Sequence, residues 1–223
     1  MLKYLFTLLA VLSIAAGCSA QETGGGAKRA LQEGKDYFLV NPPQPVSSDK
    51  VVVTEVFSYA CPHCAHFQPY ADELKSKLPK GAEFDLLPAV FQPGWEPFAR
   101  AFYAARALGL VDKTHQALFD AIHRDHQPLR SIDDLANLFY SGYGANPGNF
   151  VSTASSFVVE GQLAQGNQLV RDYQVDATPT LIVDGKYRIV ASPDRGVGFA
   201  DMVPIALQLV QQELDARAHA KKK

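Results

Sequence analysis

The sequence predicts an α/β protein in which a sheet domain is interrupted by an inserted helical domain. Three observations carry this. Runs rich in β-branched and aromatic residues occur towards both ends of the chain but not in its middle. The middle, residues 95–165, instead places apolar residues at helical spacing. A Cys-Pro-His-Cys motif at 61–64 directly follows one strand and opens a helix. The 223 residues are 47% hydrophobic and 20% charged, enough to bury a sizeable core and too apolar for disorder as the main state. Lys and Arg number 21 against 23 Asp and Glu, so there is no basic excess of the kind a dedicated nucleic-acid binder carries.

Met1–Ala20 combines a positive charge at Lys3, an apolar run from Tyr4 to Ile14 and small residues after it, the pattern of a secretory signal. Its apolar run is shorter than the roughly 20 residues a spanning helix needs. Two processing sites are open. Ala15-Ala16-Gly17-Cys18 resembles a bacterial lipobox, which would make Cys18 a lipidation site and anchor the chain, although Ala15 stands where Leu is usual; cleavage after Ala20 is the other. Either route implies export to an oxidising compartment such as the periplasm, leaving Cys61 and Cys64 as the thiols of the mature chain.

Residues 21–36 are polar and Gly-rich and predict a flexible tether. Residues 37–94 and 166–218 make up the sheet domain, around the insertion at 95–165. Tyr37–Val40 is a short strand closed by Pro42, Pro43 and Pro45, and Val51–Tyr59 is a strand buried on both faces. Ala65–Leu78 is helical and contains Pro69; residues 83–90 form a further strand. Within the insertion, helical spacing runs through 98–108, 115–123 and 132–140, with Phe98, Phe102 and Tyr103 as core. Phe157–Tyr173 is helical, Thr180–Val183 and Tyr187–Val190 form a hairpin about Asp184-Gly185, and Phe199–Ala218 is a terminal helix before the basic Lys221–Lys223 end. His123 and His126 fit a metal pair less well than caps of a helix end near Pro128.

The chemistry is expected at 61–64. Residues three apart in a first helical turn share a face, so both sulfurs reach disulfide distance without moving the backbone. Pro62 suits the first helical position. Cys61 then sits at a helix N-terminus, whose free N–H groups and dipole favour a thiolate, and His63 adds a donor or charge beside it. Cys64 faces inward as the resolving thiol. A c-type haem needs His directly after the second Cys, where Ala65 stands. A structural zinc needs about four ligands, and no second Cys pair exists. An inert disulfide closing so short a loop would be a poor staple. No metal and no cofactor is therefore expected. Alternation along the strand puts Glu55 with Val51, Val53 and Phe57, a setting that raises a carboxyl pKa if the strand is central rather than at an edge.

Glu55-x-Phe-x-x-x-Cys-Pro-His-Cys, together with Val175-x-x-Thr-Pro-Thr-Leu-Ile-Val-Asp-Gly-Lys-Tyr, resembles the bacterial periplasmic thiol oxidases of the DsbA type over residues 37–218. The resemblance implies a thioredoxin-like fold with a helical insertion. It also implies a redox disulfide Cys61–Cys64, a kinking Pro69, and a cis Thr178–Pro179 bond that presents backbone to an extended substrate; from pattern alone that proline would be trans at a strand start. Glu55 matches the family's buried acidic residue, a proton acceptor for Cys64. A shallow apolar groove beside Pro179 is expected to hold unfolded, reduced exported proteins, and a DsbB-like quinone-linked membrane oxidase to restore the disulfide of a monomeric enzyme. The alternatives are a reductase or isomerase on the same scaffold, and a non-catalytic peptide-binding lipoprotein.

Overall fold

The structure, a computed structural model, describes residues 29–220. The expected signal segment with Cys18, the tether up to residue 28 and the Lys221–Lys223 end lie outside the described residues. Among the described residues five strands form one sheet: β1 (Phe38–Leu39), β2 (Val51–Phe57), β3 (Ala82–Pro88), β4 (Thr180–Val183) and β5 (Tyr187–Val190), in the order β1-β5-β4-β2-β3. The helices are α1 (Pro62–Lys77), α2 (Glu96–Ala107), α3 (Val111–His123), the single turn α4 (Ile132–Asp134), α5 (Pro147–Ala154), α6 (Phe157–Asp172) and α7 (Phe199–Ala220). This is an α/β sheet with helices inserted between β3 and β4.

β2 holds the sheet together. It pairs parallel with β3 and antiparallel with β4, so its β-branched residues lie between two neighbours and are covered on both faces. Val51 and Val53 pack with Phe67 and Leu74 of α1 and Leu209 of α7. Val56, pointing the other way, packs with Val170 of α6 and Tyr173. The hairpin β4–β5 turns at Asp184 and Gly185, both with positive φ (53° and 65°). A Cβ at Gly185 would collide with the Gln44 carbonyl oxygen, so glycine is required there. α7 fastens this turn: Arg217 Nη2 donates to Asp184 Oδ1 at 2.6 Å, and Lys186 joins Asp184 to Glu213.

The insertion has its own core of Phe98, Phe102, Leu118, Leu135, Tyr140 and Phe150, and it is continuous with the end of β2. Phe57, fully buried, meets the rings of Tyr59 (5.1 Å), Phe102 (5.4 Å) and His115 (5.1 Å), mostly edge to face.

Several expectations need correcting. Residues 31–36 are not tether: Leu31 packs on the α1–α7 core, and buried Asp36 accepts from Gln32 N at 2.8 Å. The boundary expected at 165/166 falls inside α6. Val159 and Leu163 of that helix pack in the insertion core, whereas Val170 packs under the sheet, so one helix serves both. Residues 132–140 do not form a regular α-helix. A capping box between Ser131 and Asp134 starts one turn, which widens into a π-helical stretch, Leu135–Phe139, and tightens to a 3-10 turn at Tyr140–Tyr143. Residues 147–154, for which the sequence predicts no helix, form α5: Pro147 occupies the first turn, and Asn146 caps the helix by accepting from Asn149 N.

Removing the ring that joins the sheet to the insertion should be costly. Phe57→Ala is expected to lower unfolding free energy by about 3–5 kcal/mol in urea titrations, as large aromatic truncations in filled cores do. A loss under about 1 kcal/mol would show that the two cores do not depend on this contact.

Candidate active site

β2 ends at Phe57, and five residues later, at Pro62, the chain enters α1. A tight turn connects them: Cys61 N donates to Ser58 O at 3.0 Å, and Ala60 N donates to Ser58 Oγ at 3.2 Å. Cys61 is the N-cap of α1, with extended backbone (φ −91°, ψ 115°), and Pro62 stands in the first turn, where a missing N–H costs nothing. Both cysteines are free thiols, and both are buried. They are buried differently: Cys61 keeps 5% of its surface, Cys64 none.

That difference sets their acidity. The Cys61 thiol is lowered from 9.0 to about 5. The largest cause is a hydrogen bond from the Cys64 thiol. Burial opposes it, and the Thr178 side chain and the backbone N–H groups of Cys64 and His63 then add to the lowering. Cys64 is pushed well above 9.0, first by burial, then by its bond to Cys61 and the nearby Glu55 carboxyl. The contribution of His63 to the sulfur thus comes through its backbone N–H; its side chain is exposed and borders the groove.

Glu55 lies on central β2, fully buried, and its pKa rises from 4.5 to about 8 because burial outweighs the charge of Lys75 and a hydrogen bond from Gln68. Gln68 was not foreseen. Its Nε2 donates both to Glu55 Oε1 and to the Cys64 carbonyl, each at 3.3 Å, tying the carboxyl to the redox helix. A Gln four residues after Cys64, on the apolar side of the helix, was the available signal. Glu55 Oε2 is buried without a partner.

Across from α1, the Thr178–Pro179 bond is cis, and Cys61 Sγ lies 3.4 Å from the Thr178 carbonyl oxygen. A groove of about 610 Å³ opens here, lined by His63, Pro179, Val190, Val197 and Phe199 among others. Its far wall comes from the segment between β5 and α7, which pattern reading had left unassigned. Cys61, Cys64, Pro62, His63, Glu55, Thr178 and Pro179 therefore meet in one place. His123 and His126 do not join them as ligands: His123 Nε2 contacts the Tyr59 carbonyl at 2.7 Å instead of capping its own helix, and His126 takes a positive φ of 51°. Among the described residues no three His, Cys, Asp or Glu side chains gather as metal ligands.

The Glu55 carboxyl gives a signed pH prediction, best read on the disulfide form, where the cysteines do not titrate. Its folded pKa, about 8, lies above the ordinary 4.5, so the native state keeps a proton that the unfolded chain loses. Stability should therefore fall as pH rises through that interval. Glu55→Gln should remove the fall, gaining on the wild type by a few kcal/mol between acid and mildly alkaline pH, at up to about 1.4 kcal/mol per unit. Urea unfolding at three pH values measures this; parallel pH profiles for the two proteins would contradict the burial account.

Comparison with known proteins identifies the family. A family profile described as a DSBA-like thioredoxin domain matches residues 52–203. The thiol:disulfide interchange protein DsbA of Pseudomonas aeruginosa is 36% identical over 194 residues, covering 85% of this chain and 87% of that protein. Its namesake from Burkholderia cepacia is 34% identical over 212 residues, 94% of each. Among solved structures, the DsbA oxidoreductase of Xylella fastidiosa superposes with a TM-score of 0.77 at 35% identity, covering 83% of this chain and 98% of the other. The P. aeruginosa DsbA crystal structure gives 0.75 at 35%, covering 84% and 95%. With its cysteine pair at the start of α1 against a cis-proline, and a helical insertion set into a thioredoxin-like sheet, the chain belongs to the DsbA family of thiol:disulfide oxidoreductases.

Proposed function

We propose that this enzyme donates a Cys61–Cys64 disulfide to reduced, unfolded proteins exported to the periplasm. The observation that carries this reading is the asymmetry of the two sulfurs. Cys61 lies against the carbonyl of Thr178, a residue that lines the groove, and keeps some exposed surface, while Cys64 is fully buried near Glu55. A substrate thiolate attacks Cys61 Sγ, the S–S bond breaks, and Cys64 leaves with the electron pair. Burial makes a Cys64 thiolate costly, so it takes a proton, and the Glu55 carboxyl, still protonated near neutral pH, is the nearby source. A second substrate thiolate then attacks the substrate sulfur of the mixed disulfide. Cys61 leaves as the stabilised thiolate, and two electrons have passed from the substrate to the pair.

The groove is predominantly apolar, and apolar contact does not select sequence, which suits unfolded segments of many kinds. The Thr178 backbone beside it offers strand-like pairing to an extended chain. Reoxidation is attributed to a DsbB-like, quinone-linked membrane oxidase, in which Glu55 would accept the Cys64 proton on the return path. The enzyme is read as a monomer, exported by the Met1–Ala20 signal, with Cys18 as the candidate anchor point if the lipobox is used. No helix of the described residues is long and apolar enough to cross a membrane.

Oxidation of a reduced, unfolded disulfide protein tests this reading. Cys61→Ser is expected to reduce the rate to the uncatalysed background, and Cys64→Ala to accumulate a mixed disulfide through Cys61. Wild-type rates from Cys61→Ser would overturn the proposal.

A further inference from the structure

Residue 59 lies two positions before Cys61 and is gripped by the insertion at three points. His115, Phe119 and His123 recur at every fourth position of α3 and so form one stripe along that helix. His115 Nδ1 shares a hydrogen bond with Tyr59 Oη at 2.9 Å. The Phe119 ring packs on the Tyr59 ring at 5.0 Å. His123 Nε2 meets the Tyr59 backbone oxygen at 2.7 Å. A carbonyl only accepts, so His123 carries its proton on Nε2 and donates. Its ring orientation is fixed by stacking on Phe119.

This carbonyl belongs to the turn that delivers the chain to α1. Its peptide sits between the Ser58 carbonyl, which accepts from Cys61 N, and the Cys61 N-cap itself. Tyr59 is 1% exposed, so without His123 its carbonyl would be a buried acceptor lacking a partner, and the turn would rotate to find one. Any such rotation moves Cys61 relative to the N–H groups of His63 and Cys64 on which its anion depends.

We propose that His123 is a positioning residue for the redox pair: by holding the Tyr59 carbonyl, α3 of the insertion fixes where Cys61 sits on the end of α1. The insertion thereby tunes the donor as well as bordering it. The inference rests on the reading of Cys61 as the attacked sulfur.

The test compares wild type, His123→Leu and His123→Gln by two readouts: the pH profile of Cys61 alkylation in the reduced protein, and the equilibrium with a glutathione buffer. His123→Leu is expected to raise the Cys61 midpoint by about one unit, which corresponds to about a tenfold shift of the glutathione equilibrium towards the protein disulfide. His123→Gln, whose amide reaches the same carbonyl, should recover most of both. A folded His123→Leu with both readouts at wild-type values would overturn the proposal, as would a folded His123→Gln no better than His123→Leu. If His123→Leu does not fold, His123→Asn, whose amide is too short to reach, takes its place with the same two outcomes. A wild type whose Cys61 titrates as an ordinary thiol would instead refute the underlying reading.

Discussion

The structure depends on where one negative charge is allowed to rest. Two cysteines one helical turn apart would titrate alike in an extended peptide. Here one sulfur sits at a helix N-terminus and receives hydrogen bonds, and the other is shut into the core, where burial outweighs the hydrogen bond from the Ser58 backbone. The charge therefore belongs to Cys61, and forming the disulfide means giving up a stabilised anion. That makes the bridged pair the less comfortable state and its transfer to a partner favourable. The charge difference is produced by the hydrogen bond from the Cys64 thiol to Cys61, by the unequal burial of the two sulfurs, and by further hydrogen bonds to Cys61 from Thr178 and the backbone.

Such an arrangement needs a rigid frame, and β2 supplies it. It carries Glu55 into the interior and ends in Phe57, which joins the sheet to the insertion, before the turn that leads to Cys61. The same burial that raises Glu55 raises Cys64, so the two groups share one environment, as the proposed proton exchange between them requires. Gln68 completes the link between strand and helix, leaving the buried carboxyl with one oxygen bonded and the other free. Around this frame lies an apolar groove beside the Thr178 backbone, a surface that suits the proposed binding of unfolded chains.

Much of this was legible in the sequence because local rules dominate there. A cysteine pair directly after a β-branched run, with proline in the first helical turn, specifies a redox helix start almost by itself. Asp184-Gly185 announced its hairpin because few other residues accept two consecutive positive φ angles. What was missed depends on contacts distant in sequence. The Glu55–Gln68 bond spans 13 residues, and the grip of α3 on Tyr59 spans 56 and 64. Composition misled at 31–36, where Gly34 and charged neighbours imitate a linker while Leu31 and Asp36 pack inward. Pro147 hid α5 because a proline starts helices as readily as it stops them.

Titration of the reduced protein, following thiolate absorbance in the ultraviolet from acid to alkaline pH, addresses the central point directly. One thiolate should appear with a midpoint near 5 and vanish in Cys61→Ser, while the second stays protonated beyond pH 9. Two thiols rising together in the range of an ordinary cysteine, about 8.5, would contradict the account.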